Sequence, residues 1–259
     1  MFLVRGPVSA AASLETRGTE IRGAGSGVSE VHIVGDLDGD GLDDVVVGSP
    51  GRSSSGRVWV LHGPVSAVPS LTEADATVAG VASGDELGAA VAPVGDVDGD
   101  GHADLLLGAP GVDLEGSDIG HTFLLHGPVT VEGDAPDLAR ATLRGEFSGD
   151  RAGAAVDGGE DVDGDGASDF LIGAPGHDQV GTGGGLSYVV YGPVSGEVEL
   201  KFSGASVEAR NRRDASGTSV ALLGDANGDG FGDLLLGSPG VDAPLAESGA
   251  ADLVFGSGL

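Results

Sequence analysis

Four nine-residue stretches constrain this chain more than any other feature: "DLDGDGLDD" at 36–44, "DVDGDGHAD" at 96–104, "DVDGDGASD" at 161–169 and "DANGDGFGD" at 225–233. Their starts lie 60, 65 and 64 residues apart. The chain is therefore an internal repeat, and its fold must be built from four similar units.

Each stretch concentrates like charge with no base to offset it. Two carboxylates about 4 Å apart repel by about 4 kcal/mol at an effective dielectric near 20, and each loop holds several. The pattern D-x-[DN]-x-D-G-x-x-D places side-chain oxygens at loop positions 1, 3, 5 and 9, with a backbone carbonyl at position 7. In the first loop these are Asp36, Asp38, Asp40, Leu42 and Asp44, and in the second Asp96, Asp98, Asp100, His102 and Asp104. The third offers Asp161, Asp163, Asp165, Ala167 and Asp169, and the fourth Asp225, Asn227, Asp229, Phe231 and Asp233. Hard cations such as Ca²⁺ take six to eight oxygen ligands, which such a loop can largely supply. The glycine at position 6 permits the sharp reversal around an ion.

Asp-Gly is also ordinary hairpin chemistry, but that does not explain aspartate at positions 1, 5 and 9 in all four copies. An EF-hand would need glutamate at position 12 and flanking helices; position 12 holds Val47, Leu107, Ile172 and Leu236. About four Ca²⁺ per chain are expected, the last loop binding most weakly because Asn227 replaces a carboxylate. Filling four sites takes the formal charge from −29 to −21.

The flanking sequence predicts strands. A short apolar run precedes each loop (31–35, 89–95, 153–159, 219–224), and another follows it and ends in Gly-small-Pro (45–50, 105–110, 170–175, 234–239). A third strand follows at 57–64, 121–128, 186–193 and 251–258, and a weaker fourth near 76–80, 141–145 and 200–204. Runs of four to six residues bounded by Gly, Pro or Asp are too short for helices. Four strands per unit of some 64 residues predict an all-β protein, a β-propeller of four-stranded antiparallel blades. A β-helix has much shorter repeats.

With Gly48-Ser49-Pro50, Gly108-Ala109-Pro110, Gly173-Ala174-Pro175 and Gly237-Ser238-Pro239 trailing the acidic loops, the unit resembles the FG-GAP repeat of integrin α-subunit propellers and their bacterial relatives. The Phe-Gly half is degenerate: Ser26-Gly27, Leu87-Gly88, Ala152-Gly153 and Ser216-Gly217 hold its place. The resemblance covers essentially the whole chain as one domain, with repeats at about 23–80, 81–145, 146–204 and 205–259. It implies a calcium-stabilised, non-catalytic, extracellular or cell-surface binding module. The alternative is an accessory or structural propeller of a secreted hydrolase or other surface protein. A protein or glycan ligand is then expected on the face opposite the calcium loops.

Other features narrow the function. With 41 acidic and 12 basic residues, the chain repels nucleic acid and anionic lipid. Its apolar runs are too short for a membrane-spanning helix. No cysteine, G-x-S-x-G or H-E-x-x-H occurs, so the familiar nucleophile and zinc-protease motifs are absent. Arg210, Arg212 and Arg213 cluster in "SVEARNRRDASG"; arginine forks hold carboxylates or sulfates bidentately, so they form a candidate ligand surface. The alternative is a solvated loop whose arginines pair with neighbouring acids. His62 and His126 share a third-strand position and are read as packing residues.

Closure is the open point. "FLVRGPV" at 2–8 matches the third-strand motif, and residues near 16–22 add a fourth strand. Residues 1–22 therefore belong to a preceding blade or close the last one. The surplus strand, with no signal peptide after Met1, favours a segment of a longer secreted, seven-bladed propeller over a closed four-bladed ring. Exposed edge strands otherwise invite pairing with a second copy.

Overall fold

A computed structural model describes residues 2–4, 18–23, 27–51, 53–65, 70–113, 117–242 and 248–256. Parts of the N-terminal 2–8 motif, Ser26 and parts of the variable loops at 51–56, 111–120 and 240–249 lie outside the described residues.

Four sheets follow in sequence order. The first holds β3 (Glu30–Val34), β4 (Asp44–Ser49), β5 (Arg57–Leu61) and β6 (Ala76–Ala79). The second holds β7 (Ala90–Gly95), β8 (Asp104–Ala109), β9 (His121–Leu125) and β11 (Ala141–Arg144). The third is β12 (Ala155–Glu160), β13 (Asp169–Ala174), β14 (Leu186–Val190) and β16 (Gly204–Glu208); the fourth is β17 (Ser219–Leu223), β18 (Asp233–Ser238) and β19 (Ala250–Val254). β1 (Phe2–Val4) and β2 (Gly18–Glu20) pair antiparallel in a separate two-stranded sheet. Neighbouring strands of the four blades run antiparallel, as the short alternating runs predict. No helix among the described residues is long and apolar enough to cross a membrane.

Two details depart from the sequence reading. The first two sheets each carry a fifth, parallel strand: β10 (Glu132–Asp134) beside β6, and β15 (Gly196–Glu199) beside β11. Each comes from the following repeat and covers an outer edge that would otherwise offer unpaired N–H and C=O groups. The fourth strand of the third blade lies at Gly204–Glu208 rather than 200–204, because Leu200–Phe202 forms a 3₁₀ turn that buries Leu200. Gly204 pairs with Val190 in that register, and a β-carbon there would stand 2.3 Å from the Val189 carbonyl.

Sheets stack through alternating faces. Val46, Val58 and Val60 pack on Leu105, Leu107 and Phe123. Leu106, Leu124 and Leu143 meet Phe170, Ile172 and Tyr188. Leu171 and Val189 meet Leu222, Leu234 and Leu236. Each such fully buried side chain contributes about 1.5–3 kcal/mol. Val46, Leu106 and Leu171 are 0% exposed, whereas Leu235, at the same repeat position, is 38% exposed on the outward face of the last sheet. The opposite end is partly covered: Val45, Val47, Trp59 and Leu61 pack with Ile21, Val65 and Leu71. The described sheets therefore form an open arc of a propeller.

Glycine sets the seam. Gly88, Gly153 and Gly217 hold φ of +83°, +86° and +84°, and their carbonyl oxygens lie against Gly48, Gly108 and Gly173 of the preceding blade. A β-carbon at those three positions would stand 2.5, 2.1 and 2.0 Å from those oxygens. The Gly of the first three Gly-small-Pro corners thus lets one sheet approach the next.

Candidate metal centres

The acidic loops join the first and second strands of the blades, which places all four at the same end of their sheets. Each folds on its own first aspartate. Asp36 Oδ1 accepts from the Gly39 and Asp40 amides at 2.6 and 3.1 Å, and Oδ2 from the Gly41 amide at 2.7 Å. Asp96 repeats this with Gly99, Asp100 and Gly101, and Asp225 with Gly228, Asp229 and Gly230. Desolvation pulls the Asp36 carboxyl upward, but its backbone N–H bonds outweigh it and hold the pKa below the usual range. For Asp225 the Gly230 N–H bond is the largest influence, and the pKa is again lowered. Stabilised carboxylates are what a cation needs.

The aspartate at position 9 has a second task that the sequence reading missed. Asp44, Asp104, Asp169 and Asp233 are all 0% exposed. In each, Oδ2 accepts from the amide after position 1 (Leu37, Val97, Val162, Ala226; 2.8–2.9 Å). Oδ1 accepts from the amide of Gly63, Gly127, Gly192 or Gly256 at the end of the third strand (2.7–2.9 Å). One carboxylate therefore ties loop to strand. Burial raises the pKa of Asp44, Asp104 and Asp169, against the lowering effect of those two N–H bonds.

Three loops gather carboxylates closely. One oxygen each from Asp36, Asp38 and Asp40, from Asp96, Asp98 and Asp104, and from Asp161, Asp163 and Asp169 lie within 4.8 Å of one another. These oxygen-only sets fit a hard cation such as Ca²⁺ better than a thiophilic or imidazole-seeking metal. The fourth loop does not form such a group among the described residues, and its Asn227 Nδ2 donates to Asp229 Oδ2 at 2.8 Å.

The other candidates resolve differently. The Arg210 guanidinium pairs with Asp252 across the last blade, while Arg212 and Arg213 are exposed. His62 and His126 stand beside the loops rather than in a core: His62 Nδ1 is 3.3 Å from Asp38 Oδ2, and His126 Nδ1 is 2.7 Å from Asp98 Oδ2. His177 is buried, with Nε2 3.7 Å from Glu146 and 3.8 Å from Asp150. The matching positions in the second and fourth repeats are Val112 and Val241, the one signal that could have marked it.

Sequence comparison gives four matches to the FG-GAP repeat, at residues 33–61, 87–123, 152–190 and 216–254. Each spans the first three strands of one blade and its acidic loop. The chain is 30% identical over 220 residues to integrin alpha-PS2 of Drosophila melanogaster, covering 80% of this chain and 15% of that protein. Integrin alpha pat-2 of Caenorhabditis elegans is 29% identical over 225 residues, 79% of this chain and 17% of that protein. Phosphatidylinositol-glycan-specific phospholipase D of Rattus norvegicus is 33% identical over 156 residues, 56% of this chain and 17% of that protein. The chain thus spans less than a fifth of the length of each of these curated relatives.

Proposed function

The chain belongs to the FG-GAP repeat family, and from that premise we propose that it is a calcium-braced, non-catalytic propeller segment that binds a partner at the cell surface. The observation that carries the calcium reading is the repeated convergence of carboxylates at loop positions 1, 3 and 5 or 9. Bound calcium would neutralise carboxylates that otherwise repel. Asp36, Asp38, Asp40 and Asp44, with their counterparts in the other three loops and the position-7 carbonyls of Leu42, His102, Ala167 and Phe231, would hold it. The position-9 aspartates pass that order to the third strands through Gly63, Gly127, Gly192 and Gly256.

The repeats at 23–80, 81–145, 146–204 and 205–259 act as one domain or part of a larger ring, with residues 1–22 contributing to a preceding blade. The packing of Ile21 on Trp59 and Leu61 supports that placement, and the exposed face around Leu235 suits a further blade. The protein or glycan partner engages the end opposite the acidic loops. There the second-to-third-strand loops and the connections between blades lie, Arg212 and Arg213 among them. The similarity to integrin alpha subunits supports an extracellular setting, which would supply the millimolar calcium that weak extracellular sites require.

A second reading rests on the phospholipase relative, to which this chain is 33% identical over 156 residues: the segment would then be an accessory domain beside an enzyme. Chelator stripping followed by calorimetric return of Ca²⁺, with melting temperature in parallel, tests the main reading. Uptake of three to four ions with a large rise in melting temperature is expected. No uptake would leave the loops as acidic hairpins and remove the calcium reading.

A further inference from the structure

The hydrogen bond from Gly63, Gly127, Gly192 or Gly256 to the position-9 aspartate fixes more than the backbone. It places the preceding residue beside its own acidic loop in every repeat. That residue is His62, His126, Tyr191 and Phe255 in turn, while loop position 3 reads Asp38, Asp98, Asp163 and Asn227. The two series change together: the polar side chains accompany aspartate, and the phenylalanine accompanies asparagine.

We propose that this residue grades the four cation loops, and that His126 is the positioning residue for the Asp98 carboxylate. The proposal rests on the calcium reading above and extends it to side chains outside the loops. Asp98 Oδ1 accepts from the Asp100 amide at 3.1 Å and Oδ2 faces His126 Nδ1 at 2.7 Å. With its N–H at Nδ1 the ring attracts that oxygen, so the close His126 contact biases Oδ2 while the Asp100 amide holds Oδ1. His126 is not itself one of the converging groups: Asp96, Asp98 and Asp104 form the cluster, and imidazole is a poor ligand for a hard cation.

The other repeats depart from this arrangement in ways their residues explain. His62 Nε2 lies 3.0 Å from the Val129 carbonyl. In the tautomer with its N–H on Nε2 that ring donates to the next repeat, and its Nδ1 stands farther from Asp38, at 3.3 Å, than His126 Nδ1 from Asp98. Tyr191 takes this place in the third repeat, where position 3 is Asp163. Phe255 offers no donor, and Asn227 spends its amide within the loop on Asp229. Among the described residues the second repeat alone brings a ring nitrogen within 3 Å of its position-3 aspartate, and the fourth has neither a ring nitrogen nor an aspartate there.

Partners outside the ligand set typically change metal affinity by about 10- to 100-fold when removed. His126→Phe places the fourth repeat's own residue in the second repeat, and His126→Asn keeps a donor near the Nδ1 position. Calorimetric Ca²⁺ titration of the whole chain should show one ion bound about 10- to 100-fold more weakly in His126→Phe, and within about 3-fold of the parent in His126→Asn. Melting in chelator checks that both variants fold like the parent. A role in packing alone reverses this order, because phenylalanine fills the space better. Parent-like affinity in His126→Phe, or equal loss in both variants, overturns the positioning role while leaving the calcium reading intact. A parent chain that takes up no calcium overturns both.

Discussion

A β-carbon added to Gly108 would stand 2.1 Å from the carbonyl oxygen of Gly153 in the next blade. Backbone faces backbone there, so no side chain can move aside. Gly108→Ala should cost about 1–3 kcal/mol through forced separation of the blades. Gly237, its counterpart in the last blade, would meet only the Ser219 hydroxyl at 2.1 Å, a group that can rotate away. Gly237→Ala should change stability by less than about 0.5 kcal/mol. Urea melts of the two variants make the comparison, and equal losses would mean the seam is not the reason for glycine at 108.

The Asp104 carboxylate accepts the Val97 and Gly127 amides whether or not a cation is near. Asp104→Ala leaves both N–H groups without that acceptor, at about 1–3 kcal/mol each. A loss of roughly 2–6 kcal/mol is expected even in excess chelator. Loss of stability only when calcium is present would make Asp104 a ligand without the bracing role.

Glu86 and Arg151 occupy the same position in successive repeats, both at positive φ, and pair directly across the blade boundary. Arg151 also reaches Asp118 at 3.6 Å. Arg151→Glu should destabilise by about 1 kcal/mol, since the pair is partly exposed and gives way to like charge. Adding Glu86→Arg should recover part of that loss in a double-mutant cycle. A coupling energy of zero would show the pair to be incidental.

Asp157, half-buried on β12, accepts the Leu222 amide of the fourth sheet at 2.8 Å. Burial raises its carboxyl pKa, against the Leu222 and Gly158 N–H bonds and the His32 charge. A raised folded pKa means the favourable contribution is complete below the unfolded value near about 3.9 and is lost as pH rises through the folded value. Asp157→Asn removes that titration and keeps an acceptor. Its melting temperature relative to the parent should therefore be more favourable at pH 7 than at pH 4, both in chelator. The same offset at both pH values would count against burial as the cause.

The acidic loops were legible in the sequence because their logic is local. Nine residues contain position 1, its three amide partners and the glycine that turns the chain, so Asp96 finds Gly99, Asp100 and Gly101 wherever the loop is placed. Strand positions were legible for a similar reason: alternation in "DLLLGA" fixes which residues share a face, and turn residues bound the run. The 200–204 segment misled because Leu200 is apolar and buried without being in a strand.

What only the tertiary structure decided involves residues brought together across strands and blades. His126 meets Asp98 because the third strand returns beside the loop. Gly108 meets Gly153 because two sheets stack. β10 joins β6 from the following repeat. Leu235 carries the same residue type as Leu106 and Leu171, and local sequence cannot tell them apart; a sheet packs over the latter two, and none among the described residues covers the first. Burial belongs to the neighbours as much as to the residue, and neighbours more than a repeat away are set by how the sheets pack.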